Sequence, residues 1–361
     1  MTSDRQRALI ERLLSEAEDA VGAGQWDVVA RHAQSVLVLE SNHPDALALK
    51  AIAERVPASA STPLPSPDVY PVGLAPDAST PDDTDPAVRL EEATALRLRG
   101  VTHGQQGDFD AAIADYTSVV ESYSADSGPE IRLQVARALY DRGVAHGKQG
   151  NHATGMVDYT SVVDSYSDDA DRAMNEPVAK ALVSRGVTYG RQGDFGAAIE
   201  DYTLVVESYR DDQEPTMRLQ VARAFVSRGD AHALQGHYAS AIEDYTSVVE
   251  SYSDDSEPPM RLQVARTLYF RGITHGQHDD RPAAIADYTS VVQSYSDDSG
   301  PEIRGVVALA LADRGDAHGQ QDDVAAAIAD FTSVVDVYSD DSAIDAGVAL
   351  LQAQEGLAQY Q

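Results

Sequence analysis

The stretch RGVTHGQQGDFDAAIADYTSVVESYS, residues 99–124, returns almost unchanged as RGVTYGRQGDFGAAIEDYTLVVESYR at residues 185–210. The same pattern recurs along most of the chain, each time around one glycine. These first glycines lie 43 residues apart, at Gly100, Gly143, Gly186, Gly229, Gly272 and Gly315. A fixed period of this size indicates an array in which each repeat is one supersecondary unit that buries its apolar face against its neighbours.

Bulk composition excludes several classes of protein. The chain has 361 residues, of which 43% are hydrophobic, so it can bury a core and is not disordered overall. Its formal net charge of -32 repels phosphate backbones, which argues against a nucleic-acid ligand. Cysteine is absent, so disulfides and cysteine-ligated zinc are excluded.

The N-terminal stretch and the hydropathy pattern bear on location. The first residues, MTSDRQRALIERLLSEAEDA, are charged and contain no apolar core of a signal peptide. No apolar run approaches the roughly 18 residues that a membrane-spanning helix needs. We therefore expect a soluble cytoplasmic protein, of bacterial type, without a membrane partner.

Composition divides the chain into four segments. Residues 1–56 show helical apolar spacing and predict a small N-terminal helical unit. Residues 57–86 hold eight prolines and no Lys or Arg, which is typical of a stiff acidic linker. The six repeats occupy residues 87–342, and residues 343–361 predict a C-terminal capping helix.

Apolar spacing predicts a pair of helices in each repeat. In the second repeat the first helix is expected from about Glu130 to Gln149, and the second helix after Asn151. Pro177 lies nine residues before Gly186, whereas the matching prolines elsewhere lie fourteen before their glycine, so the third repeat should begin its first helix later. Four repeats place an aspartate N-cap before the second helix, at Asp108, Asp194, Asp280 and Asp323.

These residues resemble the tetratricopeptide repeat family. Its pattern joins a glycine in the first helix to a second glycine before the cap and an aromatic residue in the second helix. The second glycines are Gly107, Gly150, Gly193 and Gly236. The aromatic residues are Tyr116, Tyr159, Tyr202, Tyr245, Tyr288 and Phe331. The resemblance implies an all-α fold, a right-handed α-solenoid of stacked helix pairs whose first helices line a concave groove for peptides or partner proteins.

The chain departs from the family pattern in two ways. Its period of 43 residues exceeds the standard period of about 34, which indicates longer helices or turns. Histidine mostly replaces the aromatic residue after the first glycine, at His103, His146, His232, His275 and His318. Because neighbouring helices pack about 8–10 Å apart, these side chains are too far apart to share a zinc ion, whose bonds are near 2 Å. We interpret them as half-buried, hydrogen-bonded core residues and expect neither metal nor cofactor.

Two unbroken columns of opposite charge run through the array. An arginine precedes each first glycine, at Arg99, Arg142, Arg185, Arg228, Arg271 and Arg314. An aspartate recurs in each second helix, at Asp115, Asp158, Asp201, Asp244, Asp287 and Asp330. Because an unpaired buried charge is costly, the columns predict a ladder of ion pairs within or between repeats. A row of arginines that binds anions is the alternative.

Paired acids mark the turns between repeats, at Asp168-Asp169, Asp211-Asp212, Asp254-Asp255, Asp297-Asp298 and Asp340-Asp341. They lack the ligand order of a calcium loop, so we interpret them as solvated turns, with weak calcium binding as the alternative. No GxSxG, HExxH or phosphate-binding GK[ST] motif occurs, so the sequence predicts no enzyme.

One face of the first helices is not explained by folding. It comprises the residues six and three before each first glycine, and one and five after it. Its predicted partner-binding members are Arg137, Tyr140, Val144 and Lys148 in the second repeat, Lys180, Val183, Val187 and Arg191 in the third, Arg223 in the fourth, and Arg266 and Tyr269 in the fifth. A basic row in an acidic protein predicts a site for an acidic segment of a protein or peptide. Pairing of these cations with the Asp-rich turns is the alternative.

The sequence therefore favours a non-enzymatic scaffold or adaptor that binds a peptide or partner protein in the groove. The alternative is a peptide-sensing regulatory subunit that closes on its ligand and gates another protein. Compaction on ligand binding, visible by small-angle scattering, distinguishes the two. The sequence does not indicate an oligomeric state.

Overall fold

The computed structural model describes residues 85–338 and 344–360. Over these residues the chain is helical and contains no strand. The helices are α1 Pro86–Gln105, α2 Phe109–Tyr123, α3 Pro129–Lys148, α4 His152–Tyr166, α5 Asn175–Arg191, α6 Phe195–Tyr209, α7 Pro215–Leu234, α8 Tyr238–Tyr252, α9 Pro258–Gln277, α10 Arg281–Tyr295, α11 Pro301–Gly319, α12 Val324–Tyr338 and α13 Ile344–Gln359. The predicted N-terminal helical unit, 1–56, lies outside the described residues. None of these helices combines the length and the apolar character that crossing a membrane requires.

The chain divides into two compact units, Met1–Arg185 and Gly186–Gln361. In the first, α1 packs on α2 and α3 on α4, while α2 also packs on α3. In the second, α7, α9 and α11 pair with α8, α10 and α12, and successive pairs contact one another. The last helix, α13, packs on α11 and α12. The predicted all-α fold of stacked helix pairs is confirmed within each unit.

Helix ends follow the predicted signals. The first helix of the second repeat, α3, lies within one residue of the predicted bounds at both ends. Prolines occupy the first turn of most first helices, where the missing N–H is harmless. In the third repeat a short 3₁₀ turn, Arg172–Met174, precedes α5, which begins at Asn175. The predicted late start is therefore confirmed.

Second helices begin with side-chain caps where the sequence supplies aspartate. The Oδ1 atom of Asp108 accepts a hydrogen bond from the Ala111 N–H at 3.1 Å. Asp194, Asp280 and Asp323 make the equivalent bond. Neither Asn151 nor His237 makes such a bond. The capping prediction is confirmed, because the aspartate repeats carry the cap and His237 does not.

The first glycine of each repeat allows its two helices to meet. A Cβ atom at Gly143 would lie 2.6 Å from Cε1 of Tyr159 and 3.1 Å from the carbonyl oxygen of Gly155. The second glycine serves a different purpose: Gly107 adopts φ +80, the left-handed conformation that ends a helix. The first glycine thus allows the two helices to pack closely, and the second allows the turn that joins them.

The arginine and aspartate columns form ion pairs within the first, second, fourth, fifth and sixth repeats, as predicted. Arg142 Nη2 lies 2.7 Å from Asp158 Oδ1, and its Nε donates to Oδ2 at 3.1 Å. The same 2.7 Å pair joins Arg228 to Asp244, Arg271 to Asp287 and Arg314 to Asp330. Arg99 pairs with Asp115. The aspartates are 5–10% exposed at the side chain, so these pairs are partly shielded from water.

Four of these arginines, Arg142, Arg228, Arg271 and Arg314, also contact the preceding repeat. Arg142 Nη1 donates to Thr117 Oγ1 at 3.1 Å, and Arg271 Nη1 donates to Thr246 Oγ1 at 3.0 Å. The arginine thus binds a carboxylate of its own repeat and a hydroxyl of the one before it. This shared use explains why the column is unbroken and supports a structural role over anion binding.

The acidic turns are partly built into the fold. Asp255 Oδ1 accepts from the Glu257 N–H at 2.9 Å, and Asp255 Oδ2 lies 2.8 Å from Arg218. The Arg218 guanidinium also lies over the Tyr252 ring, 5.3 Å from its centroid. The interpretation as solvated turns is therefore wrong for the second acid of the pair, whereas Asp254 is exposed. Equivalent ion pairs join Arg132 to Asp169 and Arg261 to Asp298 at other turns.

Candidate functional site

The candidate site is the face of the first helices defined above, here called the first-helix face. Residues six and three before the first glycine, and one and five after it, recur every three to four positions, so they share one side of an α-helix. The fold places them on α3, α5, α7 and α9. Their surroundings differ between the two compact units.

In the first compact unit, two of the predicted cations share one internal carboxylate. Lys180 Nζ lies 2.5 Å from Glu176 Oε1, and Arg137 Nη2 lies 3.3 Å from Glu176 Oε2. Lys180 Nζ also lies 5.9 Å from the centroid of the Tyr140 ring. Arg137 and Lys180 are therefore already engaged within the protein.

The charges in this cluster are fixed at neutral pH. Burial alone would raise the pKa of Glu176, but Lys180 and Arg137 outweigh it and lower that pKa to about 2. Burial likewise disfavours the Lys180 ammonium, yet the Glu176 carboxylate raises the pKa of Lys180 above its usual value. Two cations and one carboxylate leave a single positive charge here.

A second ion pair lies on the same face of this unit. Arg97, three residues before Gly100, is buried; its Nε donates to Gln134 Oε1 at 2.9 Å and its Nη1 lies 3.3 Å from Asp141 Oδ2. Burial raises the pKa of the Asp141 carboxyl, and Arg97 opposes the shift. Arg97, Arg137 and Lys180 are thus each paired with a carboxylate of the protein itself.

In the second compact unit, two of the predicted cations have no partner among the described residues. Arg223 is exposed and Arg266 is half-buried, and neither makes an ion pair or hydrogen bond with any residue of the described ranges. Leu234, five residues after Gly229, is 71% exposed. Six residues before the first glycine, these two arginines are therefore available to a partner, whereas Arg137 and Lys180 are engaged within the protein.

Carboxylates that the sequence analysis did not single out stand on the same side of this unit. Asp230 accepts a hydrogen bond from the Tyr245 hydroxyl at 2.6 Å. Asp313 accepts from the Tyr269 hydroxyl at 2.9 Å and from Gln352 Nε2 at 2.8 Å. Burial raises the pKa of both carboxyls, and these hydrogen bonds oppose the shift. The face is therefore of mixed charge.

The remaining predicted residues differ in exposure. Lys148 and Arg191 are exposed at the ends of their helices, and Val144 and Val187 are half-buried. Val183 is only 9% exposed, so it contributes more to packing than to a surface. The tyrosines pack inward as well as outward: Tyr140 and Tyr269 each lie with their ring centroid 6.0 Å from the tyrosine of the paired helix, Tyr159 and Tyr288 respectively.

The histidines are half-buried, as predicted, but not uniformly bonded. His103 Nδ1 lies 2.9 Å from Asp115 Oδ2, whereas Nδ1 of His146 and of His232 is buried without a hydrogen-bond partner in the described part of the chain. Burial lowers the pKa of His232. The prediction of hydrogen-bonded histidines is therefore wrong for this atom of His146 and His232. Residues 85–338 and 344–360 contain no group of three or more side chains able to hold a metal ion.

Sequence reasoning missed the carboxylates that face the cations. Asp occurs two residues before the first glycine in the second and sixth repeats, as Asp141 and Asp313, whereas the other repeats carry Leu98, Ser184, Ser227 and Phe270 there. Such a departure of one repeat from its neighbours was the available signal, because the repeats are otherwise near copies.

The family model of the tetratricopeptide repeat matches residues 97–170 and 183–256. These two stretches are therefore tetratricopeptide repeats, as the resemblance implied, while the 43-residue period stays a prediction from the sequence. None of the curated proteins matches the chain.

The chain is similar to several solved structures. The apo form of RapI has a TM-score of 0.56 at 10% identity, with 98% of each chain covered. The Rap conjugation gene regulator of the plasmid pLS20, solved in complex with a Phr peptide, has a TM-score of 0.46 at 14% identity over 98% of this chain and 96% of that one. At this identity the likeness to RapI shows the fold alone.

Proposed function

We propose that this chain is a non-enzymatic interaction scaffold, acting in the cytoplasm, that binds a peptide or partner protein on its first-helix face. One observation carries the proposal. The residues that pack the repeats recur in all six, whereas the first-helix face changes from repeat to repeat. Six residues before the first glycine the chain carries Thr94, Arg137, Lys180, Arg223, Arg266 and Leu309.

Folding does not require this variation. Repeats with Val226 or Ala312 three residues before the glycine stack like those with Tyr140 or Tyr269 at that position. Val226 and Ala312 are buried, whereas Tyr140 and Tyr269 are half-buried, so this position contributes to packing in some repeats and to the surface in others. Polar and aromatic residues that vary at accessible positions are typical of a binding surface.

An acidic segment remains the proposed ligand chemistry for part of this face, and its support rests on Arg223 and Arg266. Arg137 and Lys180 support it less, because an acidic ligand would have to compete with Glu176 for them. Charge-assisted hydrogen bonds from arginine to carboxylate are among the stronger polar contacts, so two open arginines are sufficient to orient a ligand.

Site-specific photocrosslinking tests the proposal. A photoreactive amino acid is placed at Leu234 on the first-helix face, or at Val337 on the second helix α12 as the matched control, since both side chains are exposed and apolar. In extracts of the native cell, position 234 is expected to crosslink one discrete partner and position 337 none. Equal crosslinking at both positions, or crosslinking at 337 alone, contradicts the proposal.

A further inference from the structure

The second compact unit presents both signs of charge on neighbouring first helices without joining them. Arg223 on α7 and Arg266 on α9 occupy the same position relative to their first glycines and have no ion-pair partner among the described residues. Asp313 and Asp316 on α11 form no ion pair either within those ranges. In the first compact unit, by contrast, Arg137, Lys180 and Arg97 are each joined to a carboxylate.

The carboxylates of α11 are held only by neutral donors. Gln352 Nε2 on α13 donates to Asp313 Oδ1 at 2.8 Å and to Asp316 Oδ2 at 2.7 Å, and the Tyr269 hydroxyl donates to Asp313 Oδ2. These bonds orient the two carboxylates without neutralising them. A partly buried carboxylate is most favourable when a cation joins such hydrogen bonds, so a ligand ammonium or guanidinium would complete the set.

We propose that the second compact unit binds an extended peptide segment of mixed charge. An acidic side chain of the ligand contacts Arg223 and Arg266, and a basic side chain contacts Asp313 and Asp316. This inference rests on the proposed function and names the ligand chemistry of the same face. It replaces a uniformly acidic ligand with one that carries both signs.

Helix packing sets the spacing of the ligand charges. First helices α7, α9 and α11 contact one another in order, and packed helices lie about 8–10 Å apart, so α7 and α11 are separated by about 16–20 Å. An extended chain advances about 3.3 Å per residue. The acidic and basic side chains of the ligand should therefore be about five to six residues apart.

Asp230 limits where on α7 an acidic group of the ligand can bind. It follows Arg223 by seven residues on α7, which is about 10 Å along the helix axis on the same side. Its carboxylate accepts only the Tyr245 hydroxyl bond in the described part of the chain. An acidic ligand group is therefore directed to the part of α7 near Arg223 and away from the Asp230 end.

Two synthetic peptides of equal composition test the inference on the full chain. In the first peptide, two glutamates are followed by four neutral residues and then by two lysines. In the second, the glutamates and lysines alternate in one block, and the four neutral residues lie outside it. Fluorescence anisotropy should show that the first binds about tenfold more tightly, since only it can place both charges on their partners. Equal binding of the two peptides, or no binding of either, overturns the inference.

Charge variants separate specific contact from loss of folding. The double variant Arg223→Glu, Arg266→Glu should bind the first peptide about tenfold more weakly but gain affinity for a peptide with lysines at both ends. Asp313→Asn with Asp316→Asn should weaken the first peptide, while the exposed-site change Arg210→Glu should leave its affinity unchanged. Failure of the swap to gain affinity overturns the inference. Specific crosslinking from Leu234 in that case still supports the proposed function, whereas its absence removes both.

Discussion

At the scale of single residues, Glu176 decides how much of the basic row is free. Its two carboxylate oxygens bind Lys180 and Arg137 separately, and its side chain is 25% exposed. Removing the negative charge would leave two cations facing each other beside the Tyr140 ring. The carboxylate therefore contributes to stability and also withholds both cations from a ligand.

We predict that Glu176→Gln lowers the free energy of unfolding at pH 7 by about 2 kcal/mol, because two partly buried cations lose their counter-charge. The folded-state pKa is lowered from 4.5 to about 2. The stabilisation is thus fully present above pH 4.5 and is lost as the pH falls toward 2. Urea unfolding of both proteins at several pH values checks this.

The exposed Glu243 supplies the control for this variant. Glu243→Gln should change the free energy of unfolding by less than about 0.5 kcal/mol at any pH. A difference between wild type and Glu176→Gln that stays constant from pH 7 to pH 3 would show that the carboxylate stabilises through packing and not through charge.

At the scale of the element, the close packing of a helix pair depends on the contact between the first glycine of one helix and the aromatic ring of the other. Helix α9 contains two glycines in different surroundings. A Cβ atom at Gly272 would lie 2.6 Å from Cε1 of Tyr288, whereas a Cβ at Gly276 would meet nothing within 4 Å. The same substitution at the two positions therefore separates helix propensity from packing.

We expect Gly272→Ala to lower the free energy of unfolding by roughly 1–3 kcal/mol, because the tyrosine of the paired helix must move. Gly276→Ala should raise it by up to about 1 kcal/mol, since alanine is the better helix former and the site is open. Chemical denaturation followed by circular dichroism measures both. Destabilisation of equal size at the two sites would remove the ring contact as the cause.

Features of these elements that depend on residues close together in the sequence were predictable. The bounds of α3, the late start of α5 and the aspartate caps follow from signals a few residues apart, so they were predictable from Pro129, Pro177 and Asp108. The arginine ladder was predictable because burial demands a carboxylate and each repeat offers the same one.

The charges of the first-helix face were predicted incompletely, for a physical reason. Arg137 and Glu176 are 39 residues apart, and Tyr269 and Asp313 are 44 apart, so each contact depends on how two separate helices are rotated against each other. Periodicity places a residue on a face but does not fix which long side chains meet across a helix–helix contact. Glu176 is the exception, because it lies four residues before Lys180 on α5, where helical periodicity could have indicated the pair.

At the scale of the whole molecule, charge is strongly unbalanced. The chain carries 59 acidic and 27 basic residues. Many of the basic side chains are committed to ion pairs inside and between helices, so the excess acids have no basic partner and repel one another. Such self-repulsion acts against the compact state and is screened by salt.

We predict that the melting temperature rises when sodium chloride is increased from about 10 mM to about 150 mM, over which the screening length falls from about 30 to about 8 Å. The arginine–aspartate pairs are partly buried and should be screened much less. Differential scanning calorimetry at fixed pH checks the prediction. A fall in melting temperature would mean that exposed attractive pairs outweigh the repulsion.

The hydrogen bond from an arginine to a threonine of the preceding repeat has a consequence for how the number of repeats can change. Thr246 accepts from Arg271 as Thr289 accepts from Arg314, and Pro258 and Pro301 begin equivalent helices. If recombination between such similar coding segments removed residues 258–300, Thr246 would come before Arg314 and find the donor it already uses. The number of repeats can thus grow or shrink by whole copies while a junction of this kind keeps the same chemistry, and the residues of the first-helix face change with each copy.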